Sequence, residues 1–271
     1  MRYPAVAGRF YPIGKNELIE SIESCFSSPL GPGFPGTCVN DRRISAAICP
    51  HAGYSASGSN AAHSFKAIAE DGLPEAYVVI GPDHYGVPFD VVMCSDDYLT
   101  PLGPCKVHKE IASKLRELIP DNANAHSREH SIEVEIPFLQ YIDPDPRIVP
   151  IIMGNQDYRS AERLAECIKY ACEGKDVVII ASSDLAHYVP KSVATELNGR
   201  VLDKIGKMDI RGMYSNISRE HITVCGYGPI ATAMMASDPS HVEVLKYSDS
   251  WDSLRYDADS VVGYGSAVMY K

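Results

Sequence analysis

"DVVIIASSD", residues 176–184, is the stretch on which the reading of the fold turns. Residues 177–180 are all apolar and β-branched, and Ser182, Ser183 and Asp184 close the run. A strand with no polar alternation has both faces covered, as a parallel strand inside an α/β sheet does. Ahead of it, "SAERLAECIKYACEG" (160–174) reads as a helix capped by Ser160 and stopped by Gly174. "AYVVIGP" (76–82) and "RISAAICPH" (43–51) repeat the strand pattern, with "SNAAHSFKAIAEDG" (59–72) between them as a small-residue helix. Repeated strand-then-helix order predicts an α/β fold: a three-layer α/β/α sandwich around a central, mostly parallel mixed sheet.

The outlying segments complete that picture. "PFDVVMCS" (88–95) reads as a strand and "VHKEIASKLRELI" (107–119) as a helix ended by Pro120. "REHSIEVEIPFLQYI" (128–142) reads as a helix that Pro137 kinks or divides. In "RIVPIIMG" (147–154), Pro150 predicts an edge strand or an irregularity. Helices are expected at about 192–206 and 229–237. "VEVLKYSDS" (242–250) and "SVVGYGSAVMY" (260–270) follow one another as strands, so they should pair antiparallel and make the sheet mixed. The Gly/Pro-rich loop at 27–41 lies within the unit, and residues 1–271 read as a single domain.

Of the 271 residues, 45% are hydrophobic, enough for a sizeable core. The formal charge is −10, from 35 acidic and 25 basic residues, with no clustered Lys/Arg footprint. That balance argues against a nucleic-acid partner. No apolar run has the length of a membrane span, and the first residues lack the apolar core of a signal peptide. A cytoplasmic protein without membrane contact is therefore expected. The eight cysteines contain no C-x-x-C, so they read as reduced, with neither a disulfide framework nor a structural zinc knuckle.

In open α/β sheets, ligands gather where strands end. Three strands here end on ionisable groups: His51; Asp83 and His84; Asp184 with His187 beyond it. If the strands are parallel, these ends share one rim and the histidines converge. A lone histidine beside Gly or Pro is ordinarily a loop residue, but three at comparable strand ends point to a common site. Two imidazoles are a frequent foundation for a transition-metal site. Asp83, Glu129, His130, Asp184, His187 and Cys225 are all candidates for the third ligand. Cys225, in "TVCGYGPIATAMM", precedes a helix whose dipole favours a thiolate; the plainer reading is a small buried residue. Glu129 and Glu133 share a face if their segment is helical, and read first as a solvated, charged first turn.

Six motifs in order, "RYPAVAGRFYP", "PHAGYSASG", "IGPDHYG", "EHSIEVEIPFLQ", "SSDLAHY" and "CGYGPI", resemble the Memo family of cell-motility mediators from residue 2 to about 230. The resemblance implies a fold like that of class III, LigB-type extradiol dioxygenases, with metal ligands at His51, His84 and Cys225. It makes His187 an acid/base histidine with Asp184 nearby. Iron or copper is the implied ion, zinc a further possibility, and a small molecule or peptide the implied ligand. A thiolate in place of the usual carboxylate argues against ring cleavage. The expected function is thus a non-haem, metal-dependent, dioxygenase-like or other redox enzyme. Its alternatives are a non-catalytic binding module for a peptide or small ligand, and a metal-free hydrolase with Cys225 as nucleophile and His187 as base, oriented by Asp184.

Overall fold

A computed structural model describes residues 1–271. Its strands are β1 (Ile44–Cys49), β2 (Ala76–Pro82), β3 (Val91–Met93), β4 (Tyr98–Thr100), β5 (Gly103–Val107), β6 (Arg147–Met153), β7 (Val177–Ser182), β8 (Asp184–Val189), β9 (His241–Asp249) and β10 (Val261–Tyr270). They form one sheet in the order β4-β5-β6-β2-β7-β1-β10-β8, with β3 against β6 and β9 against β10. The run β5-β6-β2-β7-β1 is parallel, and the remaining pairings are antiparallel. The sheet is therefore mixed with a parallel centre.

Helices cover both faces, giving the three-layer α/β/α sandwich. One layer holds α1 (Lys15–Ser27), α2 (Ser59–Asp71) and α5 (Ile136–Ile142). The other holds α3 (Lys109–Arg116), α6 (Tyr158–Ala171), α7 (Lys191–Gly206), α8 (Ile210–Glu220) and α9 (Tyr227–Ser237). Short helices α4 (Ala123–His126) and α10 (Ser250–Leu254) complete the set. Every residue of β1 and β2 is buried, as strands apolar on both faces require. No helix is long and apolar enough to cross a membrane.

Several details differ from the sequence reading. Helix α1 was not foreseen, although Leu18, Ile22, Cys25 and Phe26 form its buried stripe. Position 107 ends β5, so the helix that follows starts at Lys109. The short α10 separates β9 from β10. Strand β6 is internal; its Pro150 is tolerated because it falls in a gap along one side. There β5 pairs only as far as Ile148, and β3 begins at Ile151. Irregularity, rather than an edge, is what the proline marks.

The largest departure lies at 128–135. Residues 128–132 are not helical; Glu133–Glu135 form a single 3-10 turn leading into α5, with Pro137 in the first turn of that helix, where it loses no hydrogen bond. Nor is the segment a solvated first turn: Glu129 is 2% exposed and Glu133 is fully buried. The carboxylate of Glu133 pairs with Arg2 and accepts the Ala5 and Val6 N–H groups and the Tyr11 hydroxyl. Arg2 also donates to the carbonyls of His126 and Glu129 and lies over the Tyr98 ring. Both charges are thus satisfied by groups more than a hundred positions away, which no local spacing announces. Glu133→Gln leaves Arg2 buried without its counter-charge, and should cost ~3–5 kcal/mol in urea unfolding.

Candidate metal centre

The three central parallel strands end nearly level. Ile48, Ala181 and Ile80 lie in one row across β1, β7 and β2. Beyond that row, Pro50 ends β1 and presents His51, while β2 runs two residues further before His84. The Ser183 N–H donates to the Cys49 carbonyl, closing the end of β7 against β1.

Cys225 reaches the same rim from the loop ahead of α9. Its backbone N–H donates to the Asp184 carbonyl, and its own carbonyl accepts from Gln156 Nε2 at 2.7 Å. Gly226 permits this approach: a Cβ there would lie 2.4 Å from the Ser182 carbonyl oxygen. The sulfur stands 3.2 Å from His51 Nε2 and accepts the Asp184 N–H at 3.1 Å.

His51, His84 and Cys225 offer donor atoms that all lie within 4.8 Å of one another. In each imidazole Nδ1 is already engaged. His51 Nδ1 meets Ser182 Oγ at 2.6 Å, and His84 Nδ1 meets Glu129 Oε1 at 2.9 Å. Nε2 is the nitrogen left for the rim on both, and on His51 it already faces the Cys225 sulfur. Glu129 also accepts the His84 N–H at 2.7 Å, so one carboxylate fixes backbone and ring together. The segment carrying Glu129 packs so closely on β2 that a Cβ at Gly81 would lie 2.2 Å from Ser131 Oγ.

His84, Glu129 and His130 form a second group of possible donors. Glu129 Oε1 in that group is taken by the N–H groups of His130 and Ser131 as well as by His84. A carboxylate surrounded by donors acts as an orienter. The His130 ring stands 4.5 Å from that of His84 and 5.6 Å from that of His51.

His187 lies on β8, an antiparallel strand that the sequence reading did not foresee. Its Nδ1–H donates to the Thr223 carbonyl at 2.8 Å, leaving Nε2 as acceptor. Asp184 does not touch that ring; its Oδ1 accepts the backbone N–H of His51 at 2.9 Å. No Cys225–His187–Asp184 relay is assembled, because the sulfur neighbours His51. Asp83 turns its carboxylate onto the N–H groups of Tyr85 and Val87, which shapes the loop after β2.

Burial governs the titration here. It holds the His51 imidazole well below its ordinary value, with the other histidines adding to the effect, and lowers His130 to about 4. It pushes the Cys225 thiol well up, reinforced by the Asp184 carboxyl, and so outweighs the helix dipole expected to favour a thiolate. Asp184 is raised to about 6 by the same burial. In His84, burial is outweighed by the hydrogen bond and charge of Glu129, and the ring titrates above 6.5. Glu129→Gln removes that charge and leaves burial opposed only by the weaker pull of the Asp184 and Asp83 carboxylates. The His84 pKa in metal-free protein should then fall relative to wild type, followed by NMR of the imidazole protons.

The sequence reading offered Glu129 and His130 only as candidate ligands, and gave no role to Ser182 or Thr223. The residues flanking Glu129-His130, Arg128 and Ser131, are polar and gave no hint of burial, and the partners of the pair are fixed only by the fold.

Known proteins share this chain's pattern over nearly its full length. A protein of Methanobrevibacter smithii described as a MEMO1 family protein is 40% identical over 285 residues, covering 99% of each chain. Proteins so described from Caldivirga maquilingensis and Thermococcus onnurineus are 39% and 41% identical, covering 100% of this chain and 99% and 100% of theirs. The crystal structure of an uncharacterized protein from Escherichia coli K12 superposes with a TM-score of 0.52 at 15% identity, covering 82% of this chain and 99% of that one. At that identity the likeness is one of fold. The model of the Memo-like protein family matches residues 2–268, and the chain belongs to that family.

Proposed function

We propose that this protein binds a transition-metal ion through His51, His84 and Cys225 and uses it for redox chemistry on a small ligand. One observation carries the reading: two imidazoles and a thiol from three distant segments converge, with both Nδ1 atoms held from behind. Metal-bound histidine is ordinarily oriented in this way by a carboxylate or another polar group. The donor set fits a soft or borderline ion, with copper or iron first and zinc as the redox-inert alternative. Bound copper or iron would supply electron transfer at the strand ends.

The chain's own residues do the rest. The neutral His51 keeps a lone pair on Nε2 without competition from a proton. Cys225 is held as a thiol and gives up its proton as it becomes a ligand. His187, anchored on Thr223, offers Nε2 to take a proton from the ligand or return it. Asp184 holds the backbone of His51 in place. An apolar-lined groove of about 420 Å³, with Phe89, Leu118, Ile119 and Leu164 among its walls, contains none of these residues. The rim itself presents imidazoles and a thiol, which suits a small polar ligand. Sulfur in place of a carboxylate keeps ring cleavage outside the proposal.

Metal analysis of protein purified without chelator should find about one ion per chain. His51→Ala and Cys225→Ser should each lower affinity by more than ~100-fold, and unchanged metal content in both would overturn the assignment. The pH dependence has a definite sign. Cys225 is a thiol across neutrality, and His84 keeps its proton to higher pH than an ordinary imidazole. An ion displaces these protons, so apparent affinity should rise from about pH 6 to about pH 8, roughly tenfold per unit for each proton released. Titration calorimetry in buffers of different ionisation enthalpy would count them.

A further inference from the structure

Behind His51 lies a group that the proposed chemistry does not use. Ser182 Oγ stands 2.6 Å from His51 Nδ1, 2.6 Å from the Ser131 carbonyl oxygen and 3.0 Å from Glu135 Oε1. A hydroxyl has one hydrogen and two lone pairs. The Ser131 carbonyl can only accept, and at 2.6 Å it takes that hydrogen. The two remaining neighbours must then donate to the hydroxyl oxygen. His51 does so with an Nδ1–H, and Glu135 can do so only as a carboxylic acid.

The surroundings of Glu135 agree. The residue is completely buried, its Oε2 has no hydrogen-bond partner, and no cationic side chain offsets a charge there. A carboxylate so placed would carry a bare charged oxygen in the interior, whereas the carbonyl oxygen of a neutral acid is tolerated at far lower cost. Burial pushes the Glu135 carboxyl well above the usual range, with the neighbouring Asp184 acting in the same sense.

We propose that Glu135 is a positioning residue: a permanently neutral carboxylic acid whose O–H fixes the Ser182 hydroxyl and, through it, the Nδ1–H tautomer of His51. Its place in catalysis rests on the reading of His51 as a metal ligand, since the tautomer so fixed is the one that presents the Nε2 lone pair beside Cys225. Glu135 touches neither ligand nor ion. Ser182 is the hinge of the arrangement, with its single hydrogen committed to Ser131.

Glu135→Gln keeps a donor at the same place, and Glu135→Leu removes it. In metal-free wild-type protein at neutral pH, the infrared spectrum should contain a protonated-carboxyl C=O stretch that is absent from Glu135→Gln. Nitrogen NMR should find His51 only as the Nδ1–H tautomer in wild type and Glu135→Gln, with the Nε2–H form appearing in Glu135→Leu. Co²⁺ affinity should fall about tenfold in Glu135→Leu and stay near wild type in Glu135→Gln. A missing infrared band in wild type, or wild-type tautomer and Co²⁺ affinity in Glu135→Leu, would overturn the proposal. If Glu135→Leu does not fold, the infrared comparison of wild type with Glu135→Gln decides alone. Wild-type protein that shows the band and the tautomer yet binds no Co²⁺ would sink the metal-centre reading and leave the positioning of His51 standing.

Discussion

The constraint on which this molecule depends is the level ending of its three central parallel strands. Parallel pairing of β7 with both β1 and β2 places Ile48, Ala181 and Ile80 in one row, so whatever follows each strand emerges at one rim. A one-residue slip of either pairing would reverse the inward and outward faces of a strand buried on both sides. Continuous apolar packing leaves little freedom for such a slip. The histidines meet because the core fixes the register.

A second layer of control comes from residues 129–135. Glu129 orients His84, and Ser131 and Glu135 act through Ser182 on His51. That segment has no regular helix to stiffen it for most of its length. Its rigidity comes from Arg2 and Glu133, which tie it to the start of the chain through a fully buried ion pair and a shell of backbone donors. Arg2 even holds the carbonyl of Glu129 itself. Residues at the first turn of the chain and at the strand ends thus belong to one mechanical unit.

How much of this was legible in the sequence follows from the range of each interaction. Strands β1, β2 and β7 were readable because a buried parallel strand declares itself by an unbroken apolar run. The common rim of His51, His84 and Asp184 followed from parallel topology alone. Cys225 was one candidate among six by spacing, and the family likeness singled it out. The burial of Glu129 and Glu133 was not readable, since charged residues at a helix start look solvated until a partner such as Arg2 is seen. Helix α1 carried a legible stripe in Leu18, Ile22 and Phe26 that was passed over. The neutral state of Glu135 belongs to a different class, because it follows from counting the hydrogens on one hydroxyl and needs coordinates.

The two imidazoles at the rim are chemically the same and electronically different. His84 leans on an ionised carboxylate that draws its Nδ1 proton and enriches the ring, whereas His51 leans on an uncharged hydroxyl and acid. One ring is the stronger σ-donor and the other the weaker, although both come from the same kind of residue. An electrophile bound between them would therefore experience a polarised environment, with a rich side and a lean side set by groups it would not touch.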